Sequence, residues 1–382
     1  GTKKRNKTFA KRKTWTIFIP KVILFGIKLV SLGNQRLFLL LIHSSFKLSM
    51  KYDLLGIGNA LVDIEVCVDD EFIKQNSLTK GGMTLLTVEK QNKILKELHG
   101  LSTKISSGGS AANTIHGLSI LGGETYYIGR VANDVYGKHY VEDMRSCGVS
   151  FSGTGNSLSD TGTCVILVTP DSERTMLTHL GASSLLHPDN VDEKVIKNAG
   201  MVYIEGYLWT GEDTCNAAEK LCKIAKKNKT PVAFTLSDAF IVNSFKKRLI
   251  DFIRQNVDIL FCNDIEAKAM AETEDTQEAF DALKGMVETV FVTRGENGSW
   301  ASNPTEEKIT VNVFPTKAVD TTGAGDLFAA GALYGIIRNY CLKDSAIIGS
   351  YCASKVVSHM GGRMPVGSDA NAEKIIQKYQ KL

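Results

Sequence analysis

The chain has 382 residues, of which 43% are hydrophobic, a composition typical of a globular protein with a well-buried core. The formal net charge of +4 is unevenly distributed, because residues 1–50 contain 11 of the 45 basic residues and no acid. Residues 51–382 therefore carry 34 basic against 41 acidic residues, which excludes a nucleic-acid-binding surface built on excess positive charge.

The basic leader, residues 1–50, is predicted to be a disordered or non-native extension, with Met50 as the true start. A transit peptide is the alternative, since a basic segment without acids is typical of one. Lys21, Lys28 and Arg36 interrupt its hydrophobic part, so no stretch reaches the roughly 20 apolar residues of a membrane span. We therefore expect no membrane contact. The eight cysteines form no C-x-x-C pair, so neither a zinc site nor a disulfide framework is predicted. Free thiols favour a reducing, cytoplasmic location.

Short apolar runs alternate with helical stretches after Met50, a pattern that predicts parallel strands covered by helices on both faces. We predict one α/β domain at residues 51–370, with a doubly wound, mostly parallel, Rossmann-like sheet, and a C-terminal helix at 371–382. The predicted core strands are the runs YDLLGIG, TYYIGRV, MVYIEGY, PVAFTLS, DILFCN and TVFVTRG.

Residues 62–88 and 160–181 depart from this alternation. The runs VDIEVCV and MTLLT, and the hairpin-like TCVILVTPDSERTMLTHL with PDSE as its turn, have the period-two pattern of antiparallel strands. They predict a small β-sheet outside the main one. A lid over a substrate site is one role for such a sheet, and an oligomerisation surface is the alternative.

The string DTTGAGDLFAAGALYG, residues 320–335, predicts a glycine-rich turn that leads into an apolar helix. Its glycines let backbone N–H groups converge at the positive end of the helix dipole, which predicts an anion hole for a migrating phosphoryl group. Asp326, in the first helical turn, is predicted to accept the proton of the attacking hydroxyl group as general base. The alternative is a merely favourable charge at a helix start. The chain has no G-x-x-x-x-G-K-[ST] string, so the phosphate site is not a P-loop.

DTTGAGD and the string SGGSAANT at residues 107–114 together resemble the paired signatures of the ribokinase-like (PfkB) carbohydrate and nucleoside kinases. The similarity extends from Tyr52 to about Pro365. It implies a ribokinase-like fold with a β lid, ATP as phosphoryl donor and Asp326 as catalytic base. The anion hole that it implies consists of Gly323, Ala324 and Gly325.

The resemblance also implies a nucleotide and metal site. The string NDIE matches the family pattern N-x-x-E, in which Glu266 organises Mg²⁺ through water and Asn263 lies near the phosphates, whereas a helix-capping pair is the alternative. VTRGENGSW resembles the nucleotide loop, and a plain tight turn is the alternative; its matching residues are Thr293, Gly295 and Gly298. Asp320 and Thr322 match positions that bind a monovalent cation such as K⁺ in many members.

The acceptor site is expected at the other end of the chain. Asp63 follows the first strand, and its carboxylate offers acceptors to two neighbouring hydroxyl groups, as the hydroxyl-binding Asp of the family does. Gly108 and Gly109 allow close backbone approach, and Asn113 offers a donor and an acceptor to a sugar, unless it is a helix cap. Asn59 is implied as a ribose contact.

The acceptor itself is predicted from GIGNALVDI, FTLSDAFIVNSFKKRLIDFI and VDILFCNDIEA, which resemble adenosine kinases more than ribokinases or fructokinases. They imply phosphorylation of the 5′-hydroxyl of adenosine to give AMP. Ala111 and Ala112 stand where animal-type adenosine kinases have Gln, so a ribose, fructose or related sugar acceptor is the alternative. Tyr207 and Trp209 are candidates to stack on a purine, or are ordinary core residues. The expected state is a monomer or homodimer.

Overall fold

The structure is a computed structural model that describes residues 50–153, 155, 158–365, 367–368 and 370–382. The predictions for the leader therefore lie outside the described residues, apart from Met50. None of the described helices is both long and apolar enough to cross a membrane. All eight cysteines are free thiols.

The described residues form fourteen strands and twelve α-helices. The strands are β1 (Leu54–Ile57), β2 (Leu61–Cys67), β3 (Met83–Leu85), β4 (Thr103–Gly108), β5 (Thr125–Ile128), β6 (Val149–Ser152), β7 (Thr161–Val168), β8 (Arg174–Gly181), β9 (Val202–Glu205), β10 (Val232–Thr235), β11 (Ile259–Asn263), β12 (Thr289–Thr293), β13 (Ser299–Asn303) and β14 (Glu306–Val311). The helices are α1 (Asp70–Gln75), α2 (Val88–Glu97), α3 (Ser110–Ile120), α4 (Val135–Ser146), α5 (Glu193–Ile196), α6 (Glu212–Lys227), α7 (Ala239–Asn256), α8 (Asp264–Ala271), α9 (Thr276–Lys284), α10 (Ala324–Ile337), α11 (Leu342–Val356) and α12 (Ala372–Tyr379).

The large sheet has nine strands in the order β14-β13-β12-β11-β10-β9-β1-β5-β6, and all pairs are parallel except those of β13 with β12 and β14. The six predicted core strands form its centre, which confirms the doubly wound α/β prediction. Successive strand residues face opposite sides, so Leu54 packs in the core beneath α3, α10 and α11, and Leu55 in the core beneath α6 and α7.

The small sheet has five strands in the order β3-β8-β7-β2-β4. The predicted hairpin is present, with β7 antiparallel to β8. The prediction of antiparallel pairing was wrong for the run MTLLT, because β3 is parallel to β8, and it holds for only one edge of β2, whose other edge is parallel to β7. A period-two pattern specifies which side chains share a face, whereas strand direction is specified only where a short turn joins two strands. The edge strand β4, which lies outside the ranges predicted for the lid, pairs antiparallel with β2.

The two faces of the small sheet have different neighbours. On the outward face, Ile64, Val66 and Val165 pack against Ile73 of α1 and Ile94 of α2. The opposite face presents other apolar side chains, which line a cavity above the large sheet; they include Leu61, Cys164, Ile166, Met176 and Leu180. The sheet therefore covers a cavity with one face, while helices of the same chain bury the other.

Candidate active site

A cavity of about 300 Å³ lies between the small sheet and the carboxyl ends of the large sheet's strands, where ligands bind in open α/β folds. Most of the predicted site residues line it: Asn59, Asp63, Gly109, Asn113, Asn263, Glu266, Thr293, Gly295, Thr322, Gly323, Ala324, Gly325 and Asp326. Gly108, Gly298 and Asp320 do not line it. The chain thus brings together motifs that are more than 250 residues apart.

Asp326 lies in the first turn of α10, and both of its carboxylate oxygens accept hydrogen bonds from α3. Ser110 Oγ donates to Oδ1 at 2.7 Å, and Asn113 Nδ2 donates to Oδ2 at 3.0 Å. The helix-cap alternative for Asn113 was wrong, since it lies inside α3, whose cap residue is Gly109. Burial raises the pKa of Asp326, and the hydrogen bonds from Asn113 and Ser110 oppose this rise. The result is a fixed, partly desolvated carboxylate on the cavity wall.

The turn before α10 requires glycine at position 323. Gly323 has φ 74°, and a Cβ there would lie 2.6 Å from the carbonyl oxygen of Gly362. The N–H of Ala324 donates to the Thr321 carbonyl at 3.2 Å, so this amide is already used within the turn. Among the described residues, no hydrogen bond takes up the N–H groups of Gly325 and Asp326, which remain as donors at the helix start.

Asp320 and Thr322 stabilise this turn. Asp320 is fully buried; its Oδ1 accepts hydrogen bonds from the N–H (2.8 Å) and hydroxyl (2.6 Å) of Thr322, and its Oδ2 accepts the N–H of Gly361 at 2.7 Å. These contacts join the turn to the loop after α11. The cation role of both residues stays a prediction.

Asp63 projects from strand β2 of the small sheet with 5% of its surface exposed, and burial raises its pKa to about 8. A Cβ at Gly108 would lie 2.0 Å from Asp63 Oδ2. A Cβ at Gly109, whose φ is 100°, would lie 2.1 Å from the Asn59 carbonyl oxygen. Both glycines therefore allow the end of β4 to pack closely against β2 and the residues just before it.

Asn263 and Glu266 form the capping box that the sequence offered as the alternative. Asn263 Oδ1 accepts the N–H of Glu266 at 2.7 Å, and Glu266 Oε2 accepts the N–H of Asn263 at 3.1 Å. Both residues also line the cavity, and burial raises the pKa of Glu266 to about 8. The capping box therefore does not exclude Asn263 and Glu266 from the site.

The nucleotide-loop residues separate into two groups. Thr293 and Gly295 line the cavity. Gly298 has φ 78°, and a Cβ there would lie 2.1 Å from the Val311 carbonyl oxygen, as the tight-turn alternative requires.

Sequence reasoning missed Arg174, Ser110 and Glu205. Arg174, at the start of β8, is the only cation among the described lining residues, which include the carboxylates Asp63, Glu205, Glu266 and Asp326. Nothing in the local pattern identified it. Ser110 stands inside the SGGSAANT string, and Glu205 ends a core strand, so the position of each was a usable signal.

The two aromatic candidates have different surroundings. Tyr207 lines the cavity. Trp209 is 2% exposed, and its ring packs against Phe234 and Phe252 at 5.2 and 4.6 Å between centroids, so the stacking prediction was wrong for it.

Comparison with known proteins gives one family match and several similar proteins. The model of the pfkB family carbohydrate kinases matches residues 86–368. Adenosine kinase from Saccharomyces cerevisiae is 27% identical over 83% of this chain and 98% of its own length. The adenosine kinase structure from Sinorhizobium meliloti is 36% identical, with a TM-score of 0.81 over 86% of this chain and 99% of its own. A probable sugar kinase from Rhizobium etli is 35% identical, with the same TM-score and the same coverage.

Proposed function

The chain belongs to the pfkB family of carbohydrate kinases and is a kinase, and from this premise we propose that it phosphorylates the 5′-hydroxyl of adenosine. One observation carries the proposal: the Asp326 carboxylate and the free N–H groups of a helix start line one cavity, beneath a lid with an apolar inner face.

In the proposed reaction Asp326 accepts the proton of the 5′-hydroxyl group while the oxygen of that hydroxyl group attacks the γ-phosphorus of ATP. The bond from that phosphorus to the β-phosphate oxygen breaks, and ADP leaves with that electron pair. A raised pKa makes Asp326 a better proton acceptor near neutral pH. The N–H groups of Gly325 and Asp326, beside Gly323, would stabilise the charge on the migrating phosphoryl group.

The acceptor side of the cavity supports a nucleoside. Asp63 and Asn59 offer polar groups to a ribose, and the inner face of the lid offers an apolar surface to a base. Two of the similar proteins are named adenosine kinases. A sugar acceptor is the second candidate, supported by Ala111 and Ala112, both fully buried, and by the relative named a probable sugar kinase.

Mg²⁺ is proposed to bind with ATP, held through water by Glu266. Among the described residues, no group of three or more His, Cys, Asp and Glu side chains is placed to hold a metal ion. Glu266 has spare lone pairs beyond its bonds to Asn263, and Mg²⁺ keeps several waters in such sites, so the residues present fit this role. A K⁺ ion is also proposed beside Asp320 and Thr322, where Asp320 Oδ2 accepts a single hydrogen bond from the described part of the chain and has a lone pair left.

The proposal is tested by measuring ADP release from ATP and Mg²⁺ with adenosine, inosine, guanosine, ribose and fructose in turn, and by identifying the product. We expect adenosine to give the highest kcat/KM, with AMP as product. Chelation of Mg²⁺ should abolish turnover, and replacement of K⁺ by tetramethylammonium tests the cation. Turnover of ribose or fructose without adenosine would favour the second candidate, and no turnover of adenosine contradicts the proposal.

A further inference from the structure

Glu205 is a fully buried carboxylate on the cavity wall to which the reaction above assigns no part. It is the last residue of β9, at the centre of the large sheet. No basic side chain forms an ion pair with it among the described residues. A carboxylate in such a place is costly unless hydrogen bonds compensate for the lost water.

The compensating bonds come from two different parts of the site. Glu205 Oε1 accepts the N–H of Asn59 at 2.7 Å, and Oε2 accepts the N–H of Ala111 at 2.8 Å. Asn59 lies between β1 and the lid strand that carries Asp63, whereas Ala111 follows Ser110 at the start of α3, the helix that holds Asp326. One side chain therefore connects the acceptor segment with the helix that orients the base.

The packing leaves little freedom around this carboxylate. A Cβ at Gly58 would lie 2.3 Å from Glu205 Oε2 and 2.9 Å from the Ala111 Cβ. A displaced carboxylate would therefore displace its neighbours too. A carboxylate can accept both N–H bonds, whereas the amide of glutamine has one acceptor oxygen and one donor nitrogen.

We infer that Glu205 is a positioning residue that sets the acceptor hydroxyl at the right distance from Asp326. It does so by holding the backbone of Asn59 at a fixed position relative to that of Ala111. The inference rests on the proposed function for the identity of the acceptor. Angstrom-scale misplacement of a reacting group is enough to lower a rate strongly. Glu205 acts on the acceptor side, so the ATP side should not depend on it.

The test compares Glu205→Gln with the wild-type protein, using the acceptor that the wild type phosphorylates best. We expect kcat/KM for the acceptor to fall about 10- to 100-fold, since one bond to a charged group is lost and a donor then faces a donor, while KM for ATP stays within about twofold. Asn59→Ala in both backgrounds completes a cycle. Because Glu205 acts partly through Asn59, the loss in the double variant should be smaller than the product of the single losses.

Two further variants keep the test informative if Glu205→Gln folds poorly. Gly58→Ala keeps the charge but displaces the carboxylate, and should give the same acceptor-specific loss. Asp258→Asn is the matched control, because Asp258 accepts the N–H of Val232 at the amino ends of β10 and β11, away from the cavity. This variant should leave KM for the acceptor unchanged. The inference is overturned if the loss in the double variant equals the product of the two single losses. It is also overturned if KM for ATP rises as much as KM for the acceptor. An inactive wild type contradicts the proposed function instead.

Discussion

The site has two parts that differ in how they are held. On the body side, Asp326 and Glu205 are fixed by hydrogen bonds from helix α3, which packs against the large sheet and α10. On the lid side, Asp63 and Arg174 project from the small sheet. The small sheet also contacts the turn before α10 and the loop after α11, through polar contacts that include one between the hydroxyl of Thr321 and the carbonyl of Ser172 (3.3 Å) and one between Lys104 and the Met360 carbonyl.

This difference assigns different tasks to the two parts. In the proposed reaction the body holds the proton acceptor and the helix-start donors in one geometry before any ligand binds, which is what preorganised catalysis requires. The small sheet contributes Asp63 and Arg174, and among the described residues no hydrogen bond joins either side chain to the body. Substitutions in the body should therefore lower kcat directly, and those in the lid should act through binding or coupling.

The largest effect is expected for Asp326→Asn. Removal of the proton acceptor should lower kcat by about 10²- to 10⁴-fold, while adenosine affinity measured by calorimetry stays nearly intact. Asn is isosteric, so a similar melting temperature shows that the fold is retained. A variant with more than a tenth of the wild-type kcat would remove Asp326 from the mechanism and with it the role assigned to the body.

Arg174→Met should have the next largest effect. It keeps the apolar stem but removes the only described cation of the cavity wall, so kcat/KM for ATP should fall about 10- to 100-fold. The positive charge of Arg174 also lowers the pKa of Asp326, so the acid limb of the kcat profile should move to higher pH in the variant. Arg174→Lys, which keeps the charge, should recover part of the loss. An unchanged profile would place the guanidinium outside the site in solution.

Thr321→Val should give a smaller, about 2- to 10-fold decrease in kcat, the scale of one hydrogen bond. The variant keeps the side-chain shape but loses the bond to Ser172, in the hairpin turn that precedes Arg174. Hydrolysis of ATP without acceptor should rise relative to acceptor phosphorylation, because the lid excludes water less well. Thr321→Ser restores the hydroxyl and should behave as wild type. If the ratio of ATP hydrolysis to acceptor phosphorylation is the same in the wild type and both variants, this contact does not hold the lid.

The last prediction concerns stability and pH instead of a rate. Burial raises the pKa of Asp63 to about 8 in the folded chain, so ionisation of Asp63 opposes folding. Its stabilising contribution is complete below its unfolded pKa, about 4, and is lost as the pH rises to about 8. The free energy of unfolding, from urea titrations at pH 5.5 and 8.5, should fall less with pH in Asp63→Asn. Asp171→Asn is the control, since the pKa of this exposed lid carboxylate is lowered to about 2, outside the window.

Much of the fold followed from local pattern. The six core strands, the hairpin of the lid and the turn before α10 all depend on residues close in sequence, as does the position of Asp326 in a first helical turn. The parallel pairing of β2 with β7, the strand β4 and the burial of Trp209 did not follow, because each depends on partners far along the chain.

The sequence by itself determined where the chain turns, which side chains begin helices and which residues carry chemistry, since glycine φ angles, helix dipoles and carboxylate chemistry are local properties. Only the tertiary structure decided that Ser110 and Asn113 bind Asp326, that Glu205 joins two segments, and that Arg174 lines the same cavity as four carboxylates. These contacts cross between distant strands and the lid, and their geometry exists only once hydrophobic burial has packed the two sheets together.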